Sequence, residues 1–509
     1  MKLKNKILGN LTFYKGFSIM FILLAIIIVA GVIFIYPQVG VADQGDFDRV
    51  MAPAGLTLLD IDKSNPNFIR FYDYIVTDYH IDRNIVTFFL TLINSSIGYL
   101  IFIICTICQI FGSDVFRTQY LAFIYAGMYI FALWKIISGL NIKSKFKNIF
   151  LAIIILFVFL DGNYLRWFNS LYGEPMMIST LLLFIAAYLS YINNKYVKKI
   201  DNHIGRSILY ILIAAFLYLG SKMQVMTTMP FVVILIIKAL WDNRKILKKK
   251  VLIGLSILFC IVISYPLVIG MQGGELSKDT QYNSVFYGIL NGSETPEQDL
   301  IDMGLNPDMA VEAGKHAYES KEDYVKYIPR TEITEQEFYS KMSNMKLAMF
   351  YLTHPLRLID GLEYTASKAY ITSTSLGAHS REYSEEPVKE FHRFTLWSDF
   401  RENNFIGHFW FIALIFAIVL CGSIYKFIKS KGNLEIRNKI MLLWGVMFMG
   451  AIQFPMPFVG NGRADTAKQL FLFNFIFDIL IVVIVVALIS KIYDLFTNRK
   501  VERSENTEV

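Results

Sequence analysis

Eleven apolar stretches separated by short basic loops constrain this chain more than any other feature of it. They run 17–36, 85–110, 120–140, 149–160, 176–192 and 208–219, then 231–241, 251–269, 406–428, 440–459 and 470–489. A bilayer's hydrocarbon core is about 30 Å thick and takes about 20 helical residues to cross, since backbone N–H and C=O groups must find their partners inside the segment. Several stretches are shorter than that and must borrow residues from their flanks. Apolar residues make up 55% of the chain and charged ones 18%, against about 25% charged in soluble domains, so there is too little polar surface to cover a soluble core. Abundant Phe and Tyr suit rings anchored at the two membrane interfaces. The expected fold is an all-α polytopic membrane protein, a bundle of about 11 to 13 transmembrane helices capped on its outer face by loops and interfacial helices.

The basic loops set the expected orientation. The N-terminus with Lys2, Lys4, Lys6 and Lys15, the loops 143–147, 195–206, 244–250 and 429–439, and the tail from Lys491 all read as cytoplasmic. With no small-residue cleavage site after it, the first stretch reads as a retained helix and not a signal sequence. Four regions follow: an N-terminal transmembrane module 1–270 holding a first outer loop 37–84, a large extracytoplasmic segment 271–405, C-terminal transmembrane helices 406–491, and a cytoplasmic tail 492–509. One conflict arises between 85 and 141. Two full crossings there would put the basic loop at Lys143 outside, so one piece is expected to be half-crossing or re-entrant, and the sequence does not choose which. The net charge of +7 comes from loops and forms no stripe that tracks a phosphate backbone, which argues against a nucleic-acid partner. Cys105, Cys108, Cys260 and Cys421 all lie in apolar stretches, so neither a disulfide nor a metal site is expected from them.

Chemistry-bearing residues gather in the outer loops. Directly after the first helix, Asp43-Gln44-Gly45-Asp46-Phe47-Asp48-Arg49 sets three carboxylates beside an arginine. Such a run also fits a solvated loop, but a carboxylate held ionised by Arg49 can take a proton from a hydroxyl, which makes Asp46 or Asp48 a candidate general base. Glu174 stands before Pro175 at a helix mouth, where it can complement the helix dipole or orient a ligand. Lys222 and Gln224 lie between two apolar stretches, Lys222 on the side topology disfavours; it can snorkel or hold a phosphate. In 461–468, Arg463 and Lys468 flank Asp465 in a loop that opens the last helix, a fork and a point charge suited to a phosphate diester. No nucleotide-phosphate loop stands on the inner side, so the expected donor is lipid-linked. In the long segment, Tyr282, Tyr287, His354, Arg357 and Tyr364 serve packing or line an acceptor site.

The order of these features resembles the GT-C superfamily of polyprenyl-phosphate-dependent glycosyltransferases. More narrowly, Gly45-Asp46-Phe47-Asp48-Arg49-Val50-Met51, the run 169–174, Lys222-Met223-Gln224, Phe286-Tyr287-Gly288, His354-Pro355-Leu356 and the run 465–474 are similar to motifs of the bacterial S-layer glycan hexose transferase (WsfD-like) membrane proteins. The resemblance spans nearly the whole chain. It implies a GT-C-like bundle and an inverting transfer of a sugar from a polyprenyl-phosphate donor to a cell-envelope glycan or polymer acceptor, next to membrane lipid. It also implies that Asp46 is the base, that Lys222, Arg463 and Lys468 hold the departing lipid phosphate, and that Glu174 orients acceptor or sugar. Where such loops usually read Gly-Asp-Gly before the last acid, this chain has Asn461-Gly462-Arg463, which favours a cationic phosphate site over a metal role there. The acids present neither require nor exclude a divalent cation. Competing readings are a transporter or flippase of lipid-linked sugars, a polymerase or ligase of lipid-linked glycans, and a non-catalytic scaffold. A transporter would place its charges near the midplane, where only Asp478 stands.

Overall fold

The computed structural model describes residues 2–271 and 274–505; Met1, two residues at the start of the long segment and the last four of the tail lie outside it. Nine helices among the described residues are long and apolar enough to cross a membrane: Tyr14–Ile33, Thr118–Leu140, Glu174–Val197, Asp201–Leu219, Met223–Trp241, Lys249–Met271, Phe409–Lys429, Leu434–Asn461 and Phe471–Thr497. A tenth is Lys145–Phe159, which continues after a 54° bend into Gly162–Phe168. The chain is thus a multi-pass α-helical membrane protein; nine of the eleven apolar stretches coincide with the long apolar helices and a tenth with the bent pair.

The eleventh stretch bears on the topological conflict between 85 and 141. Residues 85–110 form two short helices, Ile85–Ile93 and Ile97–Ile110, interrupted at Asn94-Ser95-Ser96. Asn84 caps the first, its side-chain oxygen accepting from the N–H groups of Val86 and Thr87. At the break, Ser96 donates its N–H to Gly220 O (2.7 Å) and its hydroxyl to Leu217 O (2.7 Å), and Tyr265 donates to Asn94 O. The two outer ends of the hairpin are joined by a small antiparallel sheet of order β1 (Leu56–Leu58), β2 (Asp78–Ile81) and β3 (Val115–Arg117), with Asp78 opposite Arg117. Residues 78–81 precede the hairpin and 115–117 follow it, so this piece leaves and re-enters on one face.

Hydrogen bonds separate the two ends of the bundle. At one end the basic loops meet: Tyr14 donates to Lys143 O (2.8 Å), Lys439 Nζ to Leu140 O (2.8 Å), Asn193 to Gly139 O (2.9 Å) and Lys195 Nζ to Asp242 O (3.1 Å), while Lys147 pairs with Asp494 at 2.8 Å. The first loop, Glu174, Lys222 and Lys468 lie at the other end. There the long segment packs in two parts. Residues 282–351 bury a core of their own, with Tyr282, Phe286, Leu300, Phe338 and Phe350 against Phe458. The part after 366 instead packs on the last helices through Ala366 and Tyr370. Its short helix Leu396–Asn404 delivers Arg401 to Asp478.

Candidate functional site

The first loop is shaped around a buried carboxylate. Asp43 accepts the backbone N–H groups of Gly45 (2.7 Å) and Phe47 (3.2 Å), and Arg70 binds Asp43 at 3.3 Å. Burial raises the Asp43 carboxyl, while those two N–H groups and Arg70 pull it back. Phe47 is buried and meets Tyr172 edge-on at 4.8 Å. Tyr172 OH accepts from the Gln44 N–H (2.9 Å) and donates to Ala42 O (3.0 Å), so the aromatic ring that follows Asn169 forms the floor under Asp46. Asn169 itself donates to Ile33 O (3.0 Å) and Val39 O (2.8 Å), fixing the exit of the first helix.

On that floor four remote segments converge. Asp46 Oδ2 accepts from Lys468 Nζ at 2.7 Å and its other oxygen lies 3.0 Å from Arg49. Lys468 Nζ stands 5.5 Å over the Tyr172 ring and 3.8 Å from Asp465, which accepts from Gln44 at 2.8 Å. Lys222 Nζ bonds Glu174 Oε1 at 2.6 Å, and the other Glu174 oxygen is buried with no hydrogen-bond partner among the described residues. The two ion pairs sense one another. Burial would raise the Asp46 carboxyl, but Lys468, Arg49 and Lys222 outweigh it and hold it at about 2. Burial would lower Lys468, yet Asp46, Asp465 and Glu174 keep its ammonium well protonated. The result is an alternating patch of acids and cations in which each lysine already has a carboxylate.

The remaining sequence candidates take other positions. Asp48 is turned to Arg70 and is largely exposed, so of the two first-loop candidates only Asp46 joins the lysines. Gln224 donates to Gln453 Oε1 (3.1 Å) and Gln469 O (3.2 Å), tying its loop to the helix Leu434–Gln453 and to the 466–469 turn. Arg463 donates to Asn291 O (3.1 Å) and lies 4.9 Å over the Tyr364 ring, which places it against the long segment. Its neighbour Gly462 has φ +60°, and a Cβ there would run into the Asn283 carbonyl oxygen; only glycine lets this loop approach so closely. His354 pairs with Asp302 (3.1 Å) and Arg357 with Asp299 (3.0 Å) inside the long segment, and Tyr282 lies in its core. No group of three or more His, Cys, Asp or Glu residues suited to a metal ion is found among the described residues.

Two residues at this end carried no sequence signal. Gln44 lay in the acidic run but was not singled out, and it links the first loop to Asp465. Tyr318 comes from the long segment; burial and the charge of Asp279 push its phenol up, with lesser contributions from Arg49, Asp465 and Asp46. Asp478, the midplane charge available to a transporter, is fully buried and engaged: Tyr164 OH (2.7 Å) and Trp397 Nε1 (2.9 Å) donate to it, and Arg401 pairs with it.

A Lys222→Ala substitution tests the geometry without reference to any activity. It leaves the Glu174 carboxylate buried and unpaired, and the expected loss is about 1–3 kcal/mol of stability, read as a lower melting temperature in detergent. Adding Glu174→Gln should recover most of it; a melting temperature unmoved by Lys222→Ala would mean that the buried pair does not form.

The chain belongs to the family described as the YfdI N-terminal transmembrane domain, which it matches over residues 4–507. No curated protein and no solved structure matches it.

Proposed function

We propose that the chain is a GT-C type membrane glycosyltransferase that moves a sugar, a hexose, from a polyprenyl-phosphate donor to a cell-envelope glycan or polymer, as the S-layer hexose transferases that it resembles would. Its family supports this reading, since YfdI-type domains are associated with glycosyltransferase-like function. The observation that carries it is the meeting of Asp46, Glu174, Lys222 and Lys468 at one end of the bundle. By the positive-inside rule the opposite, lysine-rich end is cytoplasmic, together with both termini, and the site faces outward, where lipid-linked sugars serve as donors.

The chemistry follows from the charge pattern. A phosphate diester arriving between Lys222 and Lys468 competes with Glu174 and Asp46 for the two ammonium groups. As Lys468 turns toward the phosphate, Asp46 loses the charge that holds its carboxyl at about 2, and it becomes a stronger base. Asp46 then takes the proton of an acceptor hydroxyl, the oxygen attacks the anomeric carbon, and the bond from that carbon to the phosphate oxygen breaks. Lys222 and Lys468 hold the charge left on the lipid phosphate. Arg49 keeps Asp46 in place, Asp465 anchors Gln44 beside it, and Glu174 orients the sugar.

The test is to incubate the purified protein in nanodiscs with undecaprenyl-phosphate glucose and an envelope glycan fraction, and to measure free undecaprenyl phosphate. Release that depends on the glycan is the expected result. Movement of the intact lipid-linked sugar between leaflets without release would replace this reading with a flippase.

A further inference from the structure

The long segment presents an exposed aromatic ring beside the site from an unusually well-fixed loop. Tyr318 is 55% exposed. The residues around it are nonetheless tied down: Gly314 N–H donates to Phe286 O (2.8 Å), Ala317 N–H to Asn283 Oδ1 (2.7 Å), Tyr324 OH to His316 O (2.6 Å) and Glu319 N–H to Tyr324 OH (3.2 Å). Tyr318 N–H donates to His316 Nδ1 (3.2 Å), which fixes the imidazole plane. The rings of Tyr287 and His316 meet edge-on at 5.3 Å, and those of His316 and Tyr318 lie tilted 6.1 Å apart, so Tyr318 forms the outer ring of a three-ring shelf. Asn283 carries that shelf to the site, since its amide nitrogen donates to Asn461 Oδ1 (2.8 Å) in the loop that leads to Asp465 and Lys468. A half-exposed ring on a backbone fixed in this way suits a ligand that offers an apolar face and pays little ordering entropy on docking.

We infer that Tyr318, with His316 and Tyr287 behind it, is the platform of a saccharide subsite, on which the C–H face of a pyranose stacks while its hydroxyls reach toward Asp46, Arg49 and Asp465. The inference rests on the glycosyltransferase reading and assigns the acceptor to the long segment. An aromatic face binds the axial C–H groups of a ring sugar, and the neighbouring carboxylates and guanidinium complete its hydroxyl contacts. An open-chain polyol offers the same hydroxyls without that face.

Saturation-transfer NMR on the full chain in detergent micelles tests this, with methyl glucoside and methyl N-acetylglucosaminide as probes and sorbitol as the open-chain comparison. Saturation should reach the ring protons of both glycosides and not sorbitol. Tyr318→Ala should weaken glycoside binding about 10-fold, while Tyr318→Phe, which keeps the ring, stays within about 2-fold of the parent. A wild type that binds methyl glucoside through Tyr318 but fails to bind undecaprenyl phosphate upholds the shelf and overturns the donor assignment. A wild type that binds undecaprenyl phosphate, with methyl glucoside held equally by the parent and Tyr318→Ala, overturns the shelf alone.

Discussion

Asp46→Asn should lower turnover by about 100-fold to 10,000-fold without weakening the hold on donor. The substitution keeps the shape of the side chain and removes the carboxylate that competes for Lys468, so the Michaelis constant for undecaprenyl-phosphate glucose should stay level or fall. A role confined to structure would move both constants together, and normal turnover in the variant would rule Asp46 out as the base. The same pair makes a statement about pH. The Asp46 carboxyl is lower in the folded chain, about 2, than its ordinary 3.8. A depressed carboxyl stabilises the fold above its unfolded value, and that contribution, on the order of 1–2 kcal/mol, is lost as pH falls through the folded one. Melting temperatures of parent and Asp46→Asn should therefore converge between pH 4 and pH 2, and a constant gap across that window would contradict the pairing.

Asp478→Ala should cost about 3–5 kcal/mol, the largest stability effect expected from any single change here. Arg401 and Asp478 are both fully buried, and Arg401 also donates to Tyr370 O (3.0 Å), Thr372 (2.7 Å) and Tyr164 OH (2.7 Å). Removing the carboxylate leaves a guanidinium without its counter-charge in apolar surroundings, and Tyr164 and Trp397 lose their acceptor. The expected readout is a drop in melting temperature and a loss of monodisperse protein on size exclusion. Replacing both members, Arg401→Met with Asp478→Leu, should restore much of the loss, because apolar residues of similar volume often replace a buried pair without penalty. If Asp478 instead served transport, Asp478→Asn would abolish lipid movement while leaving the melting temperature intact.

The spans were legible because each is an uninterrupted apolar run bounded by charge. The sequence left open which piece between 85 and 141 turns back, because the stretch 85–110 is apolar throughout and the three polar residues Asn94-Ser95-Ser96 that break it count for little in an average. What turns it back is a ladder between residues 78–81 and 115–117, a long-range pairing that hydropathy does not encode. Similarly, charge alone offered Asp46 and Asp48 alike, and only the resemblance favoured Asp46. The choice falls to Arg70, which takes Asp48, and to Lys468, which takes Asp46. Glu174 and Lys222 stood out by position, one before a proline at a helix mouth and one as a cation among apolar neighbours, and they do meet. Arg463 and Gln224 had the right chemistry but point to other partners, because loop geometry such as the glycine turn at Gly462 decides where a long side chain reaches. Tyr318 lies in a mixed-polar stretch of the long segment, where one more tyrosine carries no signal.

The bond between Asp46 and Lys468 joins residues 422 positions apart. During synthesis the first loop therefore emerges long before its partner, and the ribosome must deliver nearly the entire polypeptide before this carboxylate meets its ammonium. A nascent chain arrested before Lys468 carries Asp46 paired with Arg49 alone. Completion of translation and closure of this ion pair therefore nearly coincide.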